Sequence, residues 1–338
     1  MSALTGIAPA TPRTARPGPA LGAGARVLVR QHRWALWSAG VLALVWIAVV
    51  VGFTLWAGHV NDAFEASPCT SRVTDRACDD RWQEFDLALS VRQTVLGYAG
   101  LGLTVLPGLV AAFVAGPMIG REFESGTYKL SWTQSVSPSH WLLARLAGPA
   151  ALLVAGVSVL SAVFAWARAQ SEGLYPVSRF DNAAFGALGT APVAYALLGL
   201  ALGALAGLLT RRTVPAMAVA LLATAAAAVA LNRVRSGLWP LTTRTSTGSV
   251  PPQTPDDAWL VETGRVTGDG ARLPVDTCWD AGAKAGRCLA DRGVTGYYVD
   301  YHPASHFWPL QLTETALLLV LAAAATALAF RVLRRYHA

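Results

Sequence analysis

Apolar and polar positions fall in long blocks along this chain, with six apolar runs separated by polar stretches. An apolar helix of about 20 residues crosses the hydrocarbon core of a bilayer, which is roughly 30 Å thick. Lipid cannot satisfy an open backbone, and the period-two alternation of a membrane β-barrel is absent, so these runs predict helices. The predicted spans are 34–57, 95–119, 141–166, 191–210, 214–231 and 310–330.

The pattern therefore predicts an all-α integral membrane protein with six transmembrane helices and a large external loop or domain between helices five and six. Residues 1–24, rich in Pro, Gly and Ala, predict a disordered cytoplasmic N-terminus rather than a signal peptide. Residues 25–33 are either an interfacial helix or a basic flank that only sets topology. The remaining parts are helices one to five at 34–232 with a cytoplasmic loop at 120–140, an extracytoplasmic domain at 233–309, helix six at 310–330 and a cytoplasmic tail at 331–338.

Composition and charge agree with a membrane protein and give it an orientation. Hydrophobic residues make up 54% of the chain and charged residues 14%, with a mean hydropathy of +0.42. The termini and the even-numbered loops carry 12 basic and two acidic residues, whereas the other loops carry 14 basic and 17 acidic ones. The positive-inside rule then predicts that both termini are cytoplasmic. The net charge of +7 is thereby explained by topology rather than by nucleic-acid binding.

The four cysteines all lie in predicted outer loops, as Cys69 with Cys78 and Cys278 with Cys288. Local pairing within each loop is the simplest of three connectivities, and an oxidising exterior would permit it. Zinc binding is disfavoured because neither pair has a C-x₂-C spacing, and free thiols are the remaining alternative.

Small residues within the spans predict helix packing and a bend. Gly199, Gly203 and Gly207 repeat at four-residue spacing, which favours close approach of another helix over a glycine-lined substrate path. Pro107 and Gly108 lie midway through the second span, where proline removes a backbone hydrogen bond. They predict a kink, which is either static or a hinge.

Charged and catalytic groups are scarce inside the spans. Arg145 and Glu314 lie near span ends, and we expect both side chains to reach interfacial water. No acid lies mid-membrane for a proton relay, no phosphate-binding loop occurs, and no hydrolase motif is present, so the sequence predicts neither a catalytic site nor a metal site. His302 and His306 are four residues apart; we expect surface histidines, with metal binding as the alternative.

The polar segment at 120–141 carries the acidic residues Glu122 and Glu124, which can pair with basic residues of a soluble partner. Gly126 permits a bend, and Thr127 is a candidate N-cap for a short helix at 128–134. Tyr128 and Trp132 would then lie one turn apart and form an aromatic knob. The alternative is an ordinary polar loop with interfacial aromatics.

This segment resembles the coupling-helix region of type-2 ABC exporter permeases, and the layout of the whole chain is similar to theirs. The resemblance rests on Arg121, Glu122, Glu124, Gly126, Thr127, Trp132, Thr133, Val136, Ser137 and Trp141. It implies an ATPase-coupling site formed by Arg121, Glu122, Phe123, Glu124, Gly126, Thr127, Tyr128 and Trp132.

The resemblance also implies partners and an energy source. The chain would be an exporter permease that pairs with a second permease copy or a paralogue and with cytoplasmic ABC ATPase subunits. Those subunits would bind ATP and Mg, so no cofactor is expected in this chain. Arginine outnumbers lysine 25 to 2, which is typical of a high-GC bacterium such as an actinomycete and suggests a bacterial cytoplasmic membrane. A polytopic sensor or scaffold whose external domain binds a ligand is the alternative.

Overall fold

Long helices carry most of the chain, and a small antiparallel sheet lies between the last two of them. The computed structural model describes residues 33–69, 75–128, 137–171 and 175–335. The chain divides into two compact units, Met1–Val45 and Trp46–Ala338, and every contact given below lies within the second. In chain order the helices are α1 (Arg33–Glu65), α2 (Arg76–Val110), α3 (Gly116–Ser125), α4 (Pro138–Ala169), α5 (Asn182–Ala187), α6 (Ala191–Thr210), α7 (Thr213–Val234), α8 (Ala285–Asp291) and α9 (Phe307–Arg335).

Six stretches of helix in the described residues are long and apolar enough to cross a membrane, which confirms the predicted number and order of spans. Several of these helices are longer than predicted. α1 continues to Glu65 and α2 begins at Arg76, so the described part of the predicted loop 58–94 is mostly helical. Average hydropathy misses this because the extension is amphipathic: the ring of Phe85 stacks on that of Phe64 at 4.4 Å between centroids.

The second span contains an irregular turn close to its proline. A π-helical turn, Ala111–Ala115, joins α2 to α3 within one helical run from Arg76 to Ser125. Pro107 lies in α2, four residues before this turn. Because proline lacks an N–H and its ring crowds the preceding helical turn, the regular hydrogen-bond pattern must change nearby. The structure thus places Pro107 and Gly108 beside an irregular turn, and bending at this pair stays a prediction.

α6 is the most buried of the spans, and its glycines lie against α2, the π-helical turn and α3. A Cβ atom would lie 2.4 Å from the Pro107 carbonyl oxygen at Gly199, 2.4 Å from Ala115 Cβ at Gly203, and 2.8 Å from Ile119 Cβ at Gly207. Real Cβ atoms do not come so close, so the helices approach because these positions carry no side chain. The contacts favour helix packing over a glycine-lined path.

The residues between α7 and α9 include a four-stranded antiparallel sheet, which corrects the all-α expectation outside the spans. β4 is a central strand, and Tyr298, Val299 and Tyr301 on it are buried. Valine, threonine and tyrosine fit a half-buried pleated surface, which is why this polar region forms strands. The strands are β1 (Thr242–Thr247), β2 (Trp259–Thr267), β3 (Arg272–Pro274) and β4 (Val294–His302), in the spatial order β1-β4-β2-β3.

Two disulfides are present, with the local pairing that the sequence predicts. Cys69 is bonded to Cys78, with their Cα atoms 5.3 Å apart, and this bond ties the end of α1 to the start of α2. Cys278 is bonded to Cys288, with their Cα atoms 5.9 Å apart, and closes the segment that enters α8. By the chain-entropy argument, closing such short loops stabilises the fold by about 3 kcal/mol each.

Two polar side chains differ from the sequence prediction, and a third agrees with it. Glu314, expected to reach interfacial water, is fully buried and pairs with Arg235. Arg145, also expected to reach water, pairs with Glu122 and remains partly exposed, in agreement with that expectation. His302, expected on the surface, is fully buried. For the two buried side chains, partners supplied by the fold replace the lost contact with water: Arg235 for Glu314 and the Ser236 carbonyl for His302.

Candidate functional site

The first part of the segment 120–141 is the end of α3, which stops at a glycine. Gly126 has φ +72°, a left-handed conformation that favours glycine, and its N–H donates to the Phe123 carbonyl at 3.3 Å. The Ser125 and Thr127 hydroxyls are 3.0 Å apart. Trp132 and most of the predicted helix at 128–134 lie outside the described residues, so Thr127 as its N-cap stays a prediction.

The far side of this segment begins a new span at α4. The Ser137 hydroxyl caps its N-terminus by accepting a hydrogen bond from the His140 N–H at 3.4 Å, and Pro138 occupies the first helical position. α3 and α4 thus have defined ends on either side of residues 126–137.

Both acidic residues of the segment bond to neighbouring spans within the chain. Glu122 forms an ion pair with Arg145 of α4. Glu124 accepts hydrogen bonds from the N–H and the hydroxyl of Thr213, at 2.9 and 2.6 Å, where α7 begins. The sequence suggested that these acids pair with a soluble partner, but here the carboxylates fasten α3 to α4 and to α7. Arg121 is exposed at the same helix end.

Aromatic rings form a small cluster around Phe123. The Tyr128 ring stacks on the Phe123 ring at 4.6 Å between centroids, and the Trp141 ring meets Phe123 edge-on at 6.2 Å. Within the described residues, Phe123 on α3 is an aromatic partner of Tyr128. The predicted knob of Tyr128 with Trp132 extends beyond the described residues.

A second group of polar residues, which we call the buried ion-pair cluster (Tyr195, Arg235 and Glu314), lies at the opposite ends of the spans. The Arg235 guanidinium donates to both Glu314 carboxylate oxygens at 2.8 and 3.0 Å. The Tyr195 hydroxyl donates to Glu314 at 2.7 Å. Arg235 also stacks over the Phe185 ring, 4.2 Å from its centroid. The cluster joins α6, α9 and the end of α7.

A cavity of about 300 Å³ lies beside this cluster, between α2, α5, α6 and α7. Tyr195 and Arg235 belong to its polar wall, together with Asn182 and Asn232, and the rest of its lining is mostly apolar. This volume is at the lower end of the range of roughly 300–1,000 Å³ that is usual for ligand pockets.

Asp257 and the aromatic residue Trp259 attach the sheet to the spans. Asp257 accepts hydrogen bonds from Arg179 at 2.6 Å and from Arg168, at the end of α4, at 3.3 Å. The Trp259 ring of β2 stacks on Phe180 at 5.8 Å between centroids. These contacts attach the sheet to the end of α4 and to Arg179 and Phe180, which precede α5.

His302 is the last residue of β4. Its Nε2 lies 3.0 Å from the Ser236 carbonyl and its Nδ1 lies 3.1 Å from Nδ1 of His306. Burial lowers the pKa of His302 below its ordinary value, and the neighbouring His306 adds to this, whereas the bond to the Ser236 carbonyl opposes it. Within the described ranges no group of three His, Cys, Asp or Glu side chains could hold a metal ion.

Sequence reasoning missed the buried ion-pair cluster. Glu314 was visible as an acid in an apolar run, which is a signal for a functional or paired charge. Its partner was not visible, because Arg235 is 79 positions away and lies four residues after the end of an apolar run at Leu231.

Comparison with known families matches most of the membrane part. The family described as ABC-2 membrane transporter related matches residues 38–235, which include most of the first span, the next four spans and the segment 120–141. No curated protein and no solved structure matches the chain.

Proposed function

The chain belongs to the ABC-2 membrane transporter related family and is a multi-pass membrane protein, and from this premise we propose that it is the permease of an ATP-driven exporter. Separate cytoplasmic ABC ATPases would bind ATP and Mg and supply the energy. A second copy or a paralogue would complete a dimer. The orientation follows the charge asymmetry, with both termini in the cytoplasm of a bacterium and the sheet outside.

The observation that carries the coupling proposal is the double attachment of the end of α3. The Glu122–Arg145 ion pair links it to α4, and the Glu124 bonds to Thr213 link it to α7. Displacement of residues 121–128 is therefore passed directly to two neighbouring spans. α3 also packs on α6 through Gly207, so the pushed helix end touches three other spans.

Close packing between α3 and the start of α7 supports direct transmission of a displacement from one helix to the other. A Cβ at Gly120 would lie 3.2 Å from the Arg212 carbonyl oxygen and 3.3 Å from Thr213 Cα, so α3 and the start of α7 are in backbone contact. Close-packed interfaces transmit strain instead of absorbing it. An ATPase that closes on the segment 120–141 would thus tilt the second and third spans together with α7 and switch access across the membrane.

The test is association with an ATPase and its dependence on the segment. Affinity purification of the full chain from its native membrane should recover a protein with a phosphate-binding loop. Arg121→Glu reverses an exposed charge and Trp132→Ala removes an aromatic anchor, so either should weaken this association, since such anchors dominate interfaces. Glu122→Lys is a poorer probe because it also breaks the ion pair with Arg145.

The matched control is Arg334→Glu, which reverses an exposed charge at the end of α9 on the same predicted side of the membrane. It should leave ATPase recovery unchanged. Recovery of no such ATPase, or equal recovery with all variants, contradicts coupling through this segment. A sensor or scaffold whose sheet binds an external ligand would then be the better account.

A further inference from the structure

The cavity beside the buried ion-pair cluster opens on a lipid-facing surface. Leu101 on α2 and Val229 on α7 both line it, and they are 50% and 59% exposed. Both residues belong to apolar membrane spans, so the exposed sides of these residues meet the bilayer. The cavity is thus open to a molecule that arrives sideways through the lipid.

The polar wall of the cavity carries no net charge. Arg235 and Glu314 neutralise each other in a two-pronged ion pair. An anionic or cationic head would lie beside this buried ion pair without a free counter-charge, which is costly. The wall therefore favours an uncharged head group.

The wall nevertheless offers hydrogen-bond donors. A guanidinium only donates, so the side-chain oxygens of Asn232 and Asn182 accept from Arg235, at 3.0 and 3.5 Å. Each amide nitrogen is then turned away from Arg235. Both residues are exposed and line the cavity, and in the described part of the chain neither amide nitrogen has a protein hydrogen-bond partner. Two amide groups are left to donate to a ligand oxygen.

We propose that this cavity binds the head of an uncharged amphiphile drawn from the bilayer, one that presents ester, ether or hydroxyl oxygens. The Asn182 and Asn232 amides donate to those oxygens, and Leu101, Ala228 and Val229 contact the first part of the chain. The cavity of about 300 Å³ is too small for a whole lipid, so the remaining chain stays in the membrane. Binding here needs no ATPase and is separate from the proposed transport function.

The probe is a monoacylglycerol with a photoactivatable diazirine at the start of its chain, added to the full chain in phosphatidylcholine nanodiscs. A fatty acid with the same chain and the same diazirine is the charged comparison. We expect the monoacylglycerol to label peptides around Leu101 and Ala228, and unlabelled monoacylglycerol to compete. The fatty acid should label these peptides several-fold less.

Two variants locate the binding, and a third is the control. Ala228→Phe fills the cavity and should abolish the competed labelling, whereas Ala230→Phe adds the same ring on an exposed position of the same helix and should leave it intact. Asn232→Asp keeps the oxygen that accepts from Arg235 but removes the donors, so it should lower labelling about fivefold. Matching thermal unfolding of the variants confirms that they are folded.

Three outcomes would overturn the site. Equal labelling by the fatty acid would show that the wall does not select an uncharged head. Unchanged labelling in Ala228→Phe would place the probe elsewhere on the surface. Absence of competed labelling in the wild type, as when a second copy of the chain covers the mouth of the cavity, would exclude a lipid occupant.

Discussion

Glu314 and Arg235 lie in a setting where an isolated charge could not persist. Glu314 is fully buried, and Arg235 and Tyr195 together bond both of its oxygens. A buried pair is not in itself a large source of stability, because desolvation offsets much of the attraction. Loss of one partner is different, because the other charge remains buried without compensation.

Glu314→Gln should therefore destabilise the protein strongly. Breaking a buried pair from one side costs about 3–5 kcal/mol, so thermal unfolding of the purified chain in detergent should shift to much lower temperature. Combining Arg235→Met with Glu314→Met removes both charges and should recover most of the loss. A double variant as unstable as Glu314→Gln would show that shape, rather than charge balance, decides stability here.

His302 predicts a dependence of stability on pH. Because burial lowers its pKa, the unfolded chain binds a proton more readily than the folded chain does. Its contribution is fully present above the ordinary histidine pKa of about 6.5 and is lost as the pH falls from that value through the lower pKa of the folded state. Unfolding temperatures measured between about pH 8 and pH 5 should thus fall more in the wild type than in His302→Gln. Equal slopes would contradict this assignment.

Single residues show which contacts could be predicted from the sequence and which could not. The position of Glu314 near a span end predicts contact with interfacial water, whereas its actual partner, Arg235, follows α7 and could not be read from the sequence. Glu122 and Glu124 were recognised as special residues in the segment 120–141, while their bonds to Arg145 and Thr213 are tertiary facts. Spacing along one helix carries no information about which residue of another helix comes opposite.

At the scale of elements, α6 is the helix on which the neighbouring spans pack. Its glycines admit the backbone of α2, the π-helical turn and α3. In lipid, where apolar contact gives no preference between helices, such close approach supplies much of the association energy. The position of the segment 120–141 relative to α7 depends on this interface.

Gly203→Ala should weaken this interface. Its Cβ would lie 2.4 Å from Ala115 Cβ and 2.7 Å from the Ala111 carbonyl oxygen, and such overpacking costs about 1–3 kcal/mol. Gly156→Ala on α4 is the matched control, because a Cβ there meets nothing within 4 Å and alanine favours the helix. We expect the unfolding temperature to fall only in Gly203→Ala. A similar change in both variants would argue against α6 packing as the cause.

The secondary-structure elements differ in how well the sequence predicts them. The spans follow from long apolar runs, and the glycine spacing on α6 indicates a packing face. The helical extension of α2 before residue 95 was missed because its apolar positions face one side, around Phe85, and average out in a hydropathy window. The sheet was not predicted because its strand pairing, such as Thr243 opposite Asp300, joins residues far apart in sequence.

At the scale of the whole molecule, the charge asymmetry and the cysteines give the same proposed orientation. Both disulfides belong to the side that the positive-inside rule assigns to the exterior. Asp257, next to the sheet, pairs with Arg168 and Arg179 and so joins the sheet to the C-terminal end of α4, which the same rule assigns to the exterior.

Thiol labelling in intact cells checks this orientation. After mild reduction, a membrane-impermeant maleimide should react with Cys69, Cys78, Cys278 and Cys288. A cysteine introduced by Ala338→Cys in the tail should react only after lysis. Protection of either native pair until lysis, or labelling of the tail in intact cells, would reverse or break the proposed topology.

The central claim is that ATP hydrolysis by a separate subunit drives movement through this chain. The most direct measurement uses inverted native-membrane vesicles, with and without this chain, and compares accumulated compounds by untargeted mass spectrometry. We expect at least one compound to accumulate only when both the chain and ATP are present, and to do so after a protonophore has collapsed the proton gradient. Accumulation by the chain without ATP in response to a pH gradient, or no ATP-dependent difference between the two vesicle preparations, would contradict the claim.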